Sequence, residues 1–189
     1  MTYAAGNNLP HVFLSHYPVR QATYLHHQKS TAPVTVRGAM KVTIRTYEDG
    51  DFPAVSALEE SGLHEPYRSA VFVRQMAEVC SETFLVAVLD NGAIGYTIGT
   101  VVQHTPAEAW ILRIGVKEDQ RGRGTGTELL AALLDVLFTL HVQTIRLTVS
   151  PGNQPALRLY RKQGFIQEKF VRDYFGNGED RIIMRKERD

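Results

Sequence analysis

The chain has 189 residues, 43% of them hydrophobic, which is enough to bury one core and favours a single globular domain. Its formal net charge of +1 argues against nucleic acid as a partner, and no apolar run approaches the roughly 18 residues of a membrane span. A single cysteine, Cys80, excludes an internal disulfide and favours a reducing, cytoplasmic location.

The composition changes near Met40. Residues 1–39 contain no Asp or Glu but hold four histidines, whose spacing matches no compact metal-ligand motif. We predict that 1–39 is a flexible N-terminal extension and that 40–189 is the functional domain. Two alternatives stay open: residues upstream of a true start at Met40 and, ranked below both because basic residues are sparse, an organellar targeting segment.

From Met40 onward, hydrophobic periodicity and turn signals predict a regular succession of strands and helices. Asp51 is the predicted N-cap of the first helix, Gly62 follows its end, and Asp90-Asn91-Gly92 is a predicted hairpin turn. In chain order, the first half is predicted to contain a strand at 42–45, helices at 51–60 and about 69–79, and strands at 83–89, about 93–102 and 109–116.

The second half begins with a glycine-rich loop, Arg121–Gly126, that leads into a long apolar helix ending near Leu140. Beyond it, the sequence predicts a strand at 144–149, a short helix at 154–162, and strands at 165–173 and 180–186. This order indicates a mixed α+β fold. We expect a central, mostly antiparallel sheet with helices on both faces and one strand–helix–strand crossover that should be parallel.

The glycine-rich loop predicts a phosphate site. Its three glycines allow a tight turn that leaves backbone N–H groups uncovered, and the helix that starts there adds free amides and a positive dipole end. The loop is not a P-loop, because no Gly-Lys-Ser/Thr follows its last glycine. The alternating glycines, and the absence of an acid after the next strand, argue against a dinucleotide fingerprint.

Two motifs carry a family resemblance. Arg121, Gly124 and Gly126 match the Arg/Gln-x-x-Gly-x-Gly/Ala motif of the GNAT superfamily of N-acetyltransferases, and the segment 147–165 resembles the second half of that superfamily's acetyl-CoA site. The motifs have the family's order and separation, and the resemblance covers essentially all of 40–189. It implies the GNAT fold and a cytoplasmic enzyme that uses acetyl-CoA as cosubstrate without a metal.

The resemblance also implies roles for residues. Asn153 would contact the pantetheine or nucleotide portion of CoA, and Tyr160 would approach the thioester sulfur. A phenol with a pKa of about 10 stays protonated at neutral pH and can supply a proton as the C–S bond breaks. The alternative for Tyr160 is core packing beside Leu157. Pantetheine would bond to the strand end Ile114, Gly115 and Val116, and the pyrophosphate to backbone amides of Arg121, Gly122, Arg123, Gly124, Thr125, Gly126 and Thr127.

The C-terminal segment 174–180 is similar to the Tyr-Tyr…Gly-Glu-Asp-Ala hairpin of protein N-terminal acetyltransferases, both the ribosome-associated and the bacterial ribosomal-protein types. This implies that the acceptor is the α-amine of a protein or peptide, facing Tyr174 on one side. On the other side would be the loop between the first two helices, with Leu63, Glu65 and Tyr67 as candidate contacts.

Several alternatives stay open at this point. Tyr174 and Phe175 could simply cap the hairpin. The acceptor could be a small molecule such as a polyamine, an amino acid or an antibiotic, or the domain could be a non-catalytic acyl-CoA-binding module. The sequence does not choose between a monomer and a dimer.

The identity of the general base is a separate question. In the bacterial ribosomal-protein type, the strand position that matches Thr148 carries a glutamate, and a threonine cannot take a proton. We assign the role to Glu108, near the start of the central strand, with Glu65 and His104 as alternatives. Each of the three also has an ordinary explanation as a surface residue. An α-amine with a pKa near 8 arrives partly neutral and could dispense with a base, whereas a lysine amine near 10.4 needs more help.

Overall fold

The computed structural model describes residues 42–63 and 66–188, without the side chains of 62, 63, 66 and 67. The predicted extension, 1–39, lies outside these residues. The elements of the described part are β1 (Thr43–Thr46), α1 (Phe52–Leu63), α2 (Pro66–Val79), β2 (Phe84–Leu89), β3 (Gly92–Val102), β4 (Thr105–Val116), α3 (Thr125–Thr139), β5 (Thr144–Val149), α4 (Gln154–Lys162), β6 (Ile166–Val171) and β7 (Arg181–Glu187).

The strands form one sheet in the order β1-β2-β3-β4-β5-β7-β6. Each neighbouring pair is antiparallel except β4 and β5, which are parallel and are connected through α3. A parallel pair needs such a crossover, whereas antiparallel neighbours can be joined by short turns. The predicted fold class, a mostly antiparallel sheet with one parallel crossover, is confirmed.

Helices cover both faces of this sheet, because successive strand residues point to opposite sides. In β2, Phe84 and Val86 pack in one buried cluster with α1 and α2, while Leu85 and Ala87 belong to clusters with the leucines of α3. Burying a Phe, Val or Leu side chain of this kind contributes about 1.5–3 kcal/mol to folding. No helix in the described ranges is both long and apolar enough to cross a membrane.

The first two helices are longer than predicted. A short 3₁₀ helix, Asp49–Asp51, precedes α1, so Asp51 completes a capping box with Glu48 instead of capping α1 itself. Gly62 lies inside α1, and Pro66 is the first residue of α2, a position where proline's fixed φ suits a helix start. Both helices therefore extend into the predicted loop 63–67, of which residues 64 and 65 lie outside the described residues.

The parallel strands β4 and β5 separate part-way along their length. They pair from Glu108 opposite Thr144 to Ile111 opposite Leu147, and no further. Beyond that point β4 stays paired with β3, after a register shift that makes Leu112 an extra residue in β4. A bulge of this kind bends its strand. As a result, one edge of β4 is left free from Leu112 to Val116.

Candidate active site

The gap between the diverging strands is a cleft that runs through the sheet. A cavity of about 510 Å³ fills it and is lined from both faces, by Glu59 of α1 on one side and Tyr160 of α4 on the other. A second cavity of about 430 Å³ continues it past Val116 to the glycine-rich loop. Six residues line both cavities: Ile114, Gly115, Val116, Arg121, Asn153 and Ala156.

The glycine-rich loop has free amides beside the second cavity, which is lined by Gly122 and Gly126. Gly122 and Gly124 have φ values of 75° and 96°, and Gly124 caps α3 without a side chain. In the described part of the chain, no acceptor contacts the N–H groups from Gly122 to Gly126. These amides and the helix dipole fit a pyrophosphate. The N–H groups of Arg121 and Thr127, predicted to join them, instead bond to Glu118 (3.2 Å) and Gly124 (2.8 Å).

The two arginines of the loop differ. Arg121 lines both cavities, and its Nε donates a 3.0 Å hydrogen bond to the Val116 carbonyl. Arg123 is exposed and makes no hydrogen bond or ion pair with the described residues. Only Arg121 therefore connects the loop to the end of β4.

The free edge of β4 suits an extended ligand. Residues 114–116 pair with β3 on one side, so backbone groups on the other side can bond to a ligand chain as they would to a strand. The Val116 carbonyl already accepts from Arg121. Gly115 has a further constraint, because a Cβ there would lie 2.8 Å from Cε1 of Tyr96.

Asn153 caps α4 and faces the cleft. Its Oδ1 accepts a 3.1 Å hydrogen bond from the N–H of Ala156, so the acceptor end of the amide is used within the chain. Because Asn153 lines both cavities, its amide nitrogen is the part available to a ligand.

Tyr160 is part of the buried core and also faces the cleft. Its side chain is 5% exposed, and the ring packs edge-on against Phe165, 5.9 Å away, in the same cluster as Leu157. Tyr160 also lines the cleft. Burial raises the pKa of Tyr160 to about 12, so the phenol remains a hydrogen-bond donor at neutral pH.

Glu108, the predicted base, is not brought to the cleft. It bonds to Arg146 (2.7 Å), which also pairs with Glu168 (2.9 Å). Glu108 precedes Ile111, where the strands part, by about 10 Å along β4. The assignment of Glu108 as base therefore has no geometric support. His104 is exposed in the turn before β4, and Glu65 lies outside the described residues, whereas Thr148 does line the cleft.

Glu59 is a cleft residue that the sequence reasoning missed. Its side chain is 5% exposed; the Tyr96 hydroxyl donates to Oε2, and Arg113 Nε donates to Oε1 over 2.9 Å. Burial, followed by the charge of Glu59, raises the pKa of Tyr96 far above its usual range, which keeps that phenol a donor. The sequence did contain a signal that Glu59 is buried, because it follows Phe52 and Val55 at helical spacing on the buried stripe of α1.

A third cavity, of about 400 Å³, adjoins the cleft and is called the aromatic groove below. Arg113 and Thr148 line both the groove and the cleft. The remaining groove residues come from α2, β4 and the β6–β7 connection: Phe72, Met76, Trp110, Ile111, Leu112, Tyr174 and Phe175. The predicted peptide-facing residue Tyr174 thus lies here, 40% exposed. The side chains of Leu63, Glu65 and Tyr67 are outside the described residues.

This fold, with a split parallel strand pair, an amide-rich loop and a buried tyrosine in the split, is that of an acyltransferase that uses a coenzyme A thioester. Residues 43–165 match the acetyltransferase (GNAT) family, and the chain belongs to that family of acetyl-CoA-dependent N-acetyltransferases. Among the described residues, no group of three His, Cys, Asp or Glu side chains could hold a metal ion.

Named relatives include N-terminal acetyltransferases. The chain is 30% identical to the N-alpha-acetyltransferase of Sulfolobus acidocaldarius over 151 residues, 75% of this chain and 89% of that protein. It is 32% identical to the [ribosomal protein bS18]-alanine N-acetyltransferase of Salmonella typhimurium over 145 residues, 75% and 95% of the two chains. The crystal structure of Ard1 from Thermoplasma volcanium matches with a TM-score of 0.70 at 27% identity, over 77% of this chain and 97% of that one.

Proposed function

We propose that the protein transfers the acetyl group of acetyl-CoA to the N-terminal α-amine of a protein or peptide, by direct attack of the amine on the thioester. The aromatic groove carries this proposal, because it adjoins the cleft and shares Arg113 and Thr148 with it. A groove with aromatic and methionine walls suits the first side chains of a peptide whose amine enters the cleft. The relatives named for N-terminal acetylation support the same acceptor.

In the donor half of the site, each part of the cleft binds a different part of acetyl-CoA. The amides of Gly122 to Gly126 hold the CoA pyrophosphate, and the free edge of β4 holds pantetheine. Asn153 contributes its amide nitrogen. This arrangement brings the thioester beside Tyr160, which lines the first of the two cavities.

Tyr160 acts on the leaving sulfur as a hydrogen-bond donor. Its pKa of about 12 is well above the value of about 8.5 for an ordinary thiol, so full proton transfer to the thiolate would cost about 5 kcal/mol. Donating a hydrogen bond needs no such transfer and stabilises the negative charge as the C–S bond breaks. The proton released by the acceptor amine leaves separately through solvent.

The acceptor chemistry favours an α-amine over a lysine side chain. At neutral pH about one α-amine in ten is already neutral, since its ordinary pKa is near 8. A lysine amine with a pKa near 10.4 would need a base inside the cleft. Glu108 lies outside the cleft. Glu59, the acidic residue among the described cleft residues, already accepts hydrogen bonds from Tyr96 and Arg113.

A mass-spectrometric screen tests the proposal. Peptides that differ in their first two residues, each with an internal lysine, are incubated with acetyl-CoA beside polyamines and aminoglycosides. We expect one acetyl group on the α-amine of a subset of peptides and none on copies with a blocked N-terminus. Acetylation of small amines alone would establish a small-molecule enzyme. No acetylation of any acceptor, with acetyl-CoA still bound, would establish a binding module.

A further inference from the structure

Glu59 is a buried charge that the donor half of the site does not use. A carboxylate that is 5% exposed is costly unless it is paired and hydrogen-bonded. Tyr96 and Arg113 supply these partners, one to each carboxylate oxygen. A carboxylate offers about four acceptor positions, so about two remain on a side chain that lines the cleft.

The charge distribution of the cleft makes Glu59 distinctive. Among the described residues that line its two cavities, Glu59 is the only acidic one, whereas Arg113, Arg121 and Arg181 are basic. A cationic amine that enters such a cleft is repelled by the arginines. It therefore needs an anionic group at its destination, and Glu59 is the one available.

The position of Glu59 suits an incoming nucleophile. Tyr160 packs with the α3 leucines on one face of the sheet, whereas α1 packs with Tyr96 on the opposite face. Tyr160 and Glu59 therefore reach the cleft from opposite faces of the sheet, which suits Tyr160 to the leaving sulfur and Glu59 to the entering amine. Arg113 bonds to Glu59 and also lines the aromatic groove, so Glu59 lies close to where the groove meets the cleft.

We infer that Glu59 binds the acceptor's amino group: its carboxylate receives the ammonium, which gives one proton to solvent before the neutral amine attacks, and the carboxylate then stabilises the positive charge that develops on nitrogen during attack. The assignment rests on the proposed function in that it requires an amine acceptor entering from the groove side. It extends to any primary amine, peptide or small molecule, because the recognised feature is the ammonium itself.

The competing explanation is that Glu59 only ties α1 to the sheet. Affinity measurements in the presence of CoA, which carries no acetyl group to transfer, separate the two roles. Calorimetry compares the best peptide of the screen with its desamino analogue, in which hydrogen replaces the α-amino group. The ratio of the two dissociation constants isolates recognition of the amine. A purely structural defect weakens both ligands equally and leaves the ratio unchanged.

The substitution Glu59→Gln removes the charge but keeps the shape and an acceptor for Tyr96. We expect it to reduce the wild-type preference for the amine by about tenfold or more, as for the loss of a hydrogen bond to a charged group. CoA affinity should stay within about twofold. Tyr96→Phe serves as the control, since it removes a partner of Glu59 but leaves the charge, and it should preserve the preference.

A second variant is needed in case Glu59→Gln destabilises the fold, because that substitution removes the ion-pair partner of Arg113. The double substitution Glu59→Gln with Arg113→Gln removes both charges, and the preference must still fall, while Arg113→Gln alone must retain it. If the screen identifies a small amine such as spermidine instead of a peptide, the same ratio is measured against a neutral isostere. Finding a small amine as the acceptor would refute the peptide proposal but not the role of Glu59. A preference that persists in folded Glu59→Gln protein would overturn the role of Glu59.

Discussion

Arg121 and Val116 join the two parts of the donor site: Nε of Arg121 donates a 3.0 Å hydrogen bond to the Val116 carbonyl. Arg121 opens the loop whose free amides suit a pyrophosphate, and Val116 ends the strand edge that suits pantetheine. The bond holds these two surfaces at a fixed separation. A ligand that spans both therefore meets a site that needs little rearrangement.

We expect Arg121→Ala to raise the dissociation constant for acetyl-CoA about tenfold, because it removes a charge-assisted hydrogen bond and releases the loop. The turnover number should change little, since Arg121 belongs to the pyrophosphate end of the proposed donor site and has no role at the reacting carbonyl. Calorimetric titration measures the affinity. Arg123→Ala is the control, because Arg123 is exposed and without a partner among the described residues, and it should stay within about twofold. Equal losses for both variants would show that the loop's charge matters and the hydrogen bond does not.

Elements with strong local signals were predicted closely. The observed β5, Thr144–Val149, and α4, Gln154–Lys162, have the predicted bounds. Alternating polarity defines the strand, and the helix has a side-chain cap at Asn153. Weaker signals failed at α1, where Gly62 does not end the helix. Glycine's helical penalty of about 1 kcal/mol is small beside the packing of a whole helix.

The parts of the site that depend on sheet order could not be predicted from local patterns. The split between β4 and β5 begins after Ile111, and the extra residue Leu112 depends on the register with β3. Without that knowledge, the distance of Glu108, the one carboxylate in β4, from the chemistry could not be judged. Glu59 is 54 residues from its partner Arg113, so only the folded chain brings the pair together.

Removing the hydroxyl of Tyr160 should slow turnover and leave donor binding intact. We expect Tyr160→Phe to lower kcat about tenfold to a hundredfold, while acetyl-CoA affinity stays within about twofold. Steady-state kinetics and calorimetry on the same preparation measure the two quantities. A turnover number equal to that of the wild type would remove Tyr160 from the chemistry.

The pH dependence follows from the raised pKa of Tyr160. Because this pKa is about 12, the phenol keeps its proton up to about pH 11. The plot of kcat/KM should therefore rise through the amine's pKa near 8 and show no falling limb from Tyr160 below about pH 10. Tyr160→Phe should retain the rising limb at a lower rate.

The raised pKa also affects stability. The Tyr160 phenol loses its proton near pH 10 in the unfolded chain, so the free energy of unfolding should fall between about pH 10 and 12 in the wild type, and less in Tyr160→Phe.

Tyr174 tests the acceptor side. We expect Tyr174→Ala to raise the KM for peptide about fivefold to tenfold, because it removes an aromatic wall of the groove, while acetyl-CoA affinity is unchanged. Phe170→Ala is a matched control: Phe170 is an aromatic of similar exposure, 46%, on β6 and does not line the groove. An unchanged peptide KM in Tyr174→Ala, measured by initial rates, would indicate that the acceptor does not use this groove.

Asp51, which does not line the cleft or the groove, links stability to pH. Its two oxygens accept hydrogen bonds from Arg45 (2.7 and 2.9 Å), and Oδ2 also accepts one from the Glu48 N–H (2.9 Å). Burial favours the neutral form of Asp51, but the Arg45 and Glu48 hydrogen bonds outweigh it, and the pKa of Asp51 is lowered. The carboxylate therefore stabilises the folded state above its unfolded pKa of about 3.9, and this contribution is lost as the pH falls through the folded pKa.

We expect Asp51→Asn to lower the free energy of unfolding at pH 7 by about 1–3 kcal/mol. Because the asparagine does not titrate, the variant should lose less additional stability than the wild type as the pH falls from 4 to 2. Urea unfolding at a series of pH values measures both effects. Asp49→Asn is the control, since Asp49 is 90% exposed in its pair with Arg74 and should contribute little. Parallel curves for wild type and Asp51→Asn between pH 4 and 2 would mean that Asp51 has the same pKa in the folded and unfolded chains.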